Sequence, residues 1–102
     1  MKSRKTSWYV LHAPETGSKY EEFHTSCHEM GALNKTTKEL LLLALASVYH
    51  NPDKVEKYLK SAINSGATKT EITEVLLLTA AEHVANQISW AEDIYCKYIG
   101  QT

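Results

Sequence analysis

Residues 51–72 read NPDKVEKYLKSAINSGATKTEI, and they decide the fold, because local signals alone spell a helix, its stop and the start of a second helix. Asn51 has a short side chain that can accept a hydrogen bond from the free N–H groups of a helix start. Pro52 lacks the N–H that would go unpaired at the first helical position. Val55, Leu59, Ala62 and Ile63 then recur at the spacing of one helical face. Gly66 supplies the backbone freedom that ends such a helix, and Thr68 with Glu71 forms a capping-box pair that opens the next. From there a helical pattern continues to about Ile99, long enough in so small a protein that a bend or break is expected within it.

Working back from Asn51, LLLLALASVY at residues 40–49 is apolar on every side and predicts a central helix ending near His50. Thr36 and Glu39 precede it as another T-x-x-E capping pair. Tyr20, Phe23, Cys27 and Met30 recur at helical spacing and predict a helix closed by Gly31, with Pro14 and Gly17 marking a turn before it. Residues 1–12 read as an irregular N-terminal arm with a weak strand signal at Trp8 to Leu11, and residues 13–102 as one helical domain. The fold class is therefore all-α.

The 102-residue length suits one core, and with 43% apolar and 23% charged residues the composition is that of an ordinary globular domain. A formal net charge of −1 without a basic stripe argues against a nucleic-acid partner. The basic start MKSRK leads into SWYVLHAP, whose apolar run is too short for a signal-peptide core. The longest apolar block, Leu40 to Ala46, is far below the roughly 18 residues needed to span a bilayer, so no membrane partner and a cytoplasmic location are expected. Cys27 and Cys96 lack zinc or redox spacing and read as buried thiols. The blocks LLLLALA and VLLLTAA carry more apolar surface than one small subunit can cover, which predicts a homo-oligomer.

Several short stretches together carry a family resemblance: A13-P14-E15, G31-A32-L33-N34, K38-E39-L40 and A62-x-x-x-G66-A67-T68-x-x-E71-I72. The chain is similar to the carboxymuconolactone decarboxylase and alkylhydroperoxidase D-like family, most specifically at the G-A-T-x-x-E-I turn and diffusely after about Val84. That resemblance implies an all-helical subunit assembled as trimers or hexamers, with a small-molecule site among helices at subunit contacts. The family's redox branch carries C-x-x-C-x-x-x-H, and the matching positions here are Asn51, Lys54 and Tyr58, so the dithiol and its histidine are replaced. The glutamate used one helix earlier in that branch matches Glu39, which is kept.

The residues themselves suggest a different chemistry. Lys54 and Tyr58, at i and i+4, share one helix side suited to gripping a carboxylate or polarising a carbonyl, and Glu39 is a carboxylate that could converge on them. His50 and His83 are candidate proton shuttles for the same site. A purely architectural account also exists: Glu39 as a capping residue, Lys54 as a solvated charge, Tyr58 as the border of the apolar stripe. His24, Cys27 and His28 place three soft donors on one helical side, but Cys27 also completes the apolar stripe and no fourth ligand is evident, so neither a metal nor another cofactor is expected. Three functional classes follow. One is a decarboxylase-like lyase acting on, or binding, a small organic acid or lactone. The second is a thiol peroxidase with peroxiredoxin activity through Cys27 or Cys96, and the third is a non-catalytic oligomeric binding or scaffold protein.

Overall fold

The computed structural model describes residues 6–100, so the basic start MKSRK lies outside the described residues. Those residues form helices α1 (Trp8–His12), α2 (Pro14–Glu29), α3 (Lys35–Val48), α4 (Pro52–Asn64) and α5 (Lys69–Ile99), with no strand among them. The all-α reading holds. The chain divides into two compact units, one ending at Leu33 and the other beginning at Asn34.

In the first unit, residues 8–12 are helical, neither strand nor irregular arm. The Ser7 carbonyl accepts from the N–H groups of both Val10 and Leu11, at 3.0 and 3.1 Å, and closes the first turn. Pro14 is not a turn residue but the first residue of α2, where its missing N–H carries no penalty. Gly17 sits inside α2 and is buried, and a Cβ there would lie 2.5 Å from the Tyr9 carbonyl oxygen. Close approach to α1, and not a turn, is what requires glycine. The Ser7 and Tyr9 hydroxyls both donate to Glu21 Oε1, at 2.9 and 2.6 Å. The Glu21 carboxylate, by accepting that bond, holds the Tyr9 phenol pKa above its ordinary value. α2 ends at Glu29 with Met30 extended, one residue before the expected glycine stop. Tyr20, Phe23 and Met30 are exposed, and so is Cys27, contrary to the buried-thiol expectation.

In the second unit α3 starts two residues earlier than expected. Its N-cap is Asn34, whose side chain accepts from the Thr37 N–H at 2.8 Å, whereas the Thr36 hydroxyl donates to the Ser65 carbonyl at 2.7 Å. Glu39 is therefore not a capping-box residue. α3 packs against both α4 and α5, and the core is Leu43, Ala46, Tyr58, Ala62 and Ile72. Leu43 is 0% exposed, while Leu41 and Leu45 on its other side face solvent.

The motif that opened the analysis is built as read. Asn51 Oδ1 accepts from the Lys54 N–H at 3.1 Å and Pro52 is the first helical residue. Gly66 takes φ +103° while the Ala67 N–H reaches back to the Ala62 carbonyl at 2.9 Å, the geometry of a left-handed helix stop. Thr68 and Glu71 cap α5 reciprocally, at 2.8 and 3.1 Å. The expected break in α5 is absent: all 31 residues are one helix, because the segment contains no Pro or Gly to interrupt the hydrogen-bond ladder. Only its first part meets the core, through Ile72 and Leu76; residues 80–95 are exposed throughout.

Candidate functional site

The site positions predicted from sequence lie on the α3–α4 hairpin and the facing part of α5. Three residues, Tyr49 to Asn51, separate the two hairpin helices, so they run antiparallel, and the Thr36–Ser65 bond ties their far ends. Equal counts along both helices from that tie put Glu39 level with Ala62 and Leu43 level with Tyr58. Glu39 thus enters the packed seam beside one of the two core alanines. Its Oε2 is buried and has no hydrogen-bond partner. A carboxylate oxygen in that position is destabilising unless something supplies a donor.

Tyr58 lies one helical turn away, 8% exposed and part of the core. Side chains tilt toward the start of their own helix, so in an antiparallel pair Glu39 leans toward Ser65 and Tyr58 toward Asn51. They line successive levels of one seam rather than meeting. Lys54 is exposed on the first turn of α4, and the cation beside Tyr58 is another residue, Lys57, with Nζ 5.3 Å from the ring centroid. No local pattern could have found it, since Lys57 reads as one more solvated charge.

His50 and His83 are brought together. Their rings meet edge to face, with centroids 5.8 Å apart and planes at 82°. His50 also holds φ +54°. The His50 and Asn51 N–H groups bond to the Ser47 and Ala46 carbonyls at 3.1 and 3.0 Å, the same left-handed stop that Gly66 makes after α4. A residue with a Cβ in that conformation costs about 1 kcal/mol more than glycine, so the imidazole is kept at a position where backbone geometry favours its absence. Beside His83, Val48, Thr79, Glu82 and Asn86 line an open groove.

His24 and His28 place their rings 4.4 Å apart, yet among the described residues no group of three or more His, Cys, Asp or Glu could hold a metal ion. Both cysteines are free, with Cys27 on α2 and Cys96 near the end of α5. Residues 83 to 96 span about 20 Å of helix axis, so the Cys96 thiol is remote from the histidine pair. Within the second unit, the histidine pair offers proton acceptors and donors without a thiol beside it. No described helix is long and apolar enough to cross a membrane.

Comparison with known proteins agrees with this architecture. The sequence profile of the carboxymuconolactone decarboxylase family matches residues 14–94. A crystal structure of a protein from Methanobacterium thermoautotrophicum superposes with a TM-score of 0.73 at 18% identity, covering 85% of this chain and 98% of that one; at that identity it speaks for the fold alone. No curated protein gives a match.

Proposed function

The chain belongs to the carboxymuconolactone decarboxylase family, and from that premise we propose that it binds and acts on a small organic acid or lactone by proton transfer, as a homo-oligomer and without thiol redox chemistry. One observation carries the reading: the buried, unpartnered Glu39 Oε2 in the α3–α4 seam, in a chain whose dithiol positions hold Asn51 and Lys54. With Thr36 engaged by Ser65, capping no longer accounts for Glu39. A lone acceptor in a mostly apolar seam is suited to take a hydrogen bond or a proton from a ligand hydroxyl, carboxyl or acidic C–H group. The Tyr58 hydroxyl is a donor for a carbonyl at the next level, and Lys54 is an exposed cation on the first turn of α4 for a carboxylate; the His50–His83 pair, beyond the other end of α3 from Glu39, can exchange protons with solvent there.

The test is a thermal-shift screen of small carboxylic acids and lactones, followed by calorimetric titration of any hit into wild type, Glu39→Gln, Tyr58→Phe and Lys54→Met. Each variant is expected to fold and to lose roughly tenfold or more in affinity. Unchanged affinity in all three would remove the site assignment and leave the architectural account of these residues.

A further inference from the structure

A pair of side chains on α2 has no part in the α3–α4 seam. His24 and His28 stand one helical turn apart with their rings side by side, centroids 4.4 Å apart and planes tilted by 33°. The pair is braced from behind. The His24 ring lies against Tyr20 at 6.0 Å, and Tyr20 meets Tyr9 edge to face at 5.2 Å. Tyr9 is fixed in turn by its bond to Glu21 and by the close approach of α1 to Gly17. A ring held in this way has less rotamer freedom to lose when it takes a ligand. All of these residues belong to the first unit, so the geometry of the pair is complete within it.

We propose that His24 and His28 chelate one divalent transition-metal ion, Cu²⁺ in preference to Ni²⁺ or Zn²⁺, with water in the remaining coordination positions. Imidazoles at i and i+4 suit a shared ion because one helical turn brings both onto the same face. An ion bound to a ring nitrogen lies about 3.2 Å from that ring's centroid. Centroids 4.4 Å apart then subtend roughly 90° at a shared ion, the cis angle of a square-planar or octahedral site and narrower than a tetrahedral one. That angle and two nitrogen donors favour Cu²⁺, which also has the highest intrinsic affinity for such ligands. Cys27 does not join them, since one residue along a helix is a rotation of about 100° away from His28. Among the described residues no third His, Cys, Asp or Glu completes a cluster. Two protein ligands are too few for a closed structural zinc site, but they are enough for a two-point chelate. Charge favours a cation here as well. α2 carries Glu15, Glu21, Glu22 and Glu29 against Lys19, and His28 lies in its last turn, where the helix dipole is negative. Because the two rings converge only while residues 24–28 are helical, the ion binds the folded helix in preference to the unfolded chain and stabilises the α1–α2 unit by that difference.

The full-length chain carrying Cys27→Ser and Cys96→Ser, which removes thiol oxidation by copper, is to be titrated with Cu²⁺ by calorimetry. Electron paramagnetic resonance then reads the donor atoms, and amide exchange reads the helix. The tightest-bound equivalent is expected to show two nitrogen donors and to slow exchange in Pro14–Glu29. His24→Gln and His28→Gln should each keep the helical circular dichroism and weaken that binding at least tenfold, because a chelate becomes a single tethered ligand. His50→Gln/His83→Gln, which removes the other imidazole pair, should leave it unchanged. Tight binding that survives both α2 replacements, or that only the His50→Gln/His83→Gln replacement removes, would overturn the assignment. Amide exchange in α2 that copper leaves unchanged would overturn it too. The Glu39 reading shares no residue with this site and stands or falls by its own titrations.

Discussion

Replacing Glu39 by leucine should make the protein more stable and useless. The carboxylate Oε2 is buried in the α3–α4 seam without a partner, and an unsatisfied buried acceptor costs about 1–3 kcal/mol. Leucine has nearly the same length, removes that penalty and adds apolar contact with the side chains around Leu43 and Ala62. Some of the residue remains accessible, which discounts the gain, so the expected net stabilisation is about 1–2 kcal/mol. For a unit of this size, that corresponds to a rise in Tm of roughly 5–10 °C. The assay is thermal unfolding followed by circular dichroism at one fixed protein concentration, because assembly makes Tm depend on concentration. Titration with the acid or lactone found by screening should show binding lost. A Glu39→Leu protein that melts below wild type would refute the reasoning: the carboxylate would then be held by partners in the folded state, and its place in the seam would be structural.

Other consequences are open to direct measurement. Gly17→Ala forces a methyl against the Tyr9 carbonyl and should loosen the α1–α2 hairpin by about 1–3 kcal/mol, seen as faster amide exchange in Trp8–Glu29 with α3–α5 unchanged. Tyr9 should ionise above its ordinary range because its hydroxyl donates a hydrogen bond to the Glu21 carboxylate. A raised folded-state pKa means that the tie is fully present below the unfolded phenol value near 10 and is lost as pH rises through the folded value; tyrosinate absorbance should show a late-titrating group that Tyr9→Phe removes. Thiol-dependent peroxide turnover should be negligible, and Cys27→Ser and Cys96→Ser should leave any residual rate unchanged; turnover abolished by either would identify a working thiol.

The parts of the fold legible in the sequence were those in which a few adjacent residues settle the geometry. The Asn51–Pro52 start, the Gly66 stop and the Thr68–Glu71 box each need only neighbours along the chain. Two misreadings arose where a residue further off along the chain decides the matter. Thr36 passes for a cap until Ser65 claims its hydroxyl, and Gly17 passes for a turn until Tyr9 lies against it. Trp8 to Leu11 looks weakly like a strand because its aromatic and β-branched residues favour one, yet the Ser7 carbonyl closes a helical turn there. Of the candidate site, residue identities were legible and relations were not. Nothing local in the chain shows that His50 meets His83, that Glu39 and Tyr58 stand at successive levels, or that the cation over Tyr58 is Lys57.

The short passage from α3 to α4 also sets the order in which this protein acquires its structure. With only Tyr49, His50 and Asn51 between the helices, bringing Ala46 and Leu43 against Val55 and Tyr58 closes a very small loop, and the entropy lost before those contacts form is correspondingly low. The α3–α4 hairpin is the natural folding nucleus of its unit, with α5 docking onto a surface already made. Truncations at Leu43 or Ala62 should therefore slow refolding, whereas truncation at Ile72 should chiefly hasten unfolding.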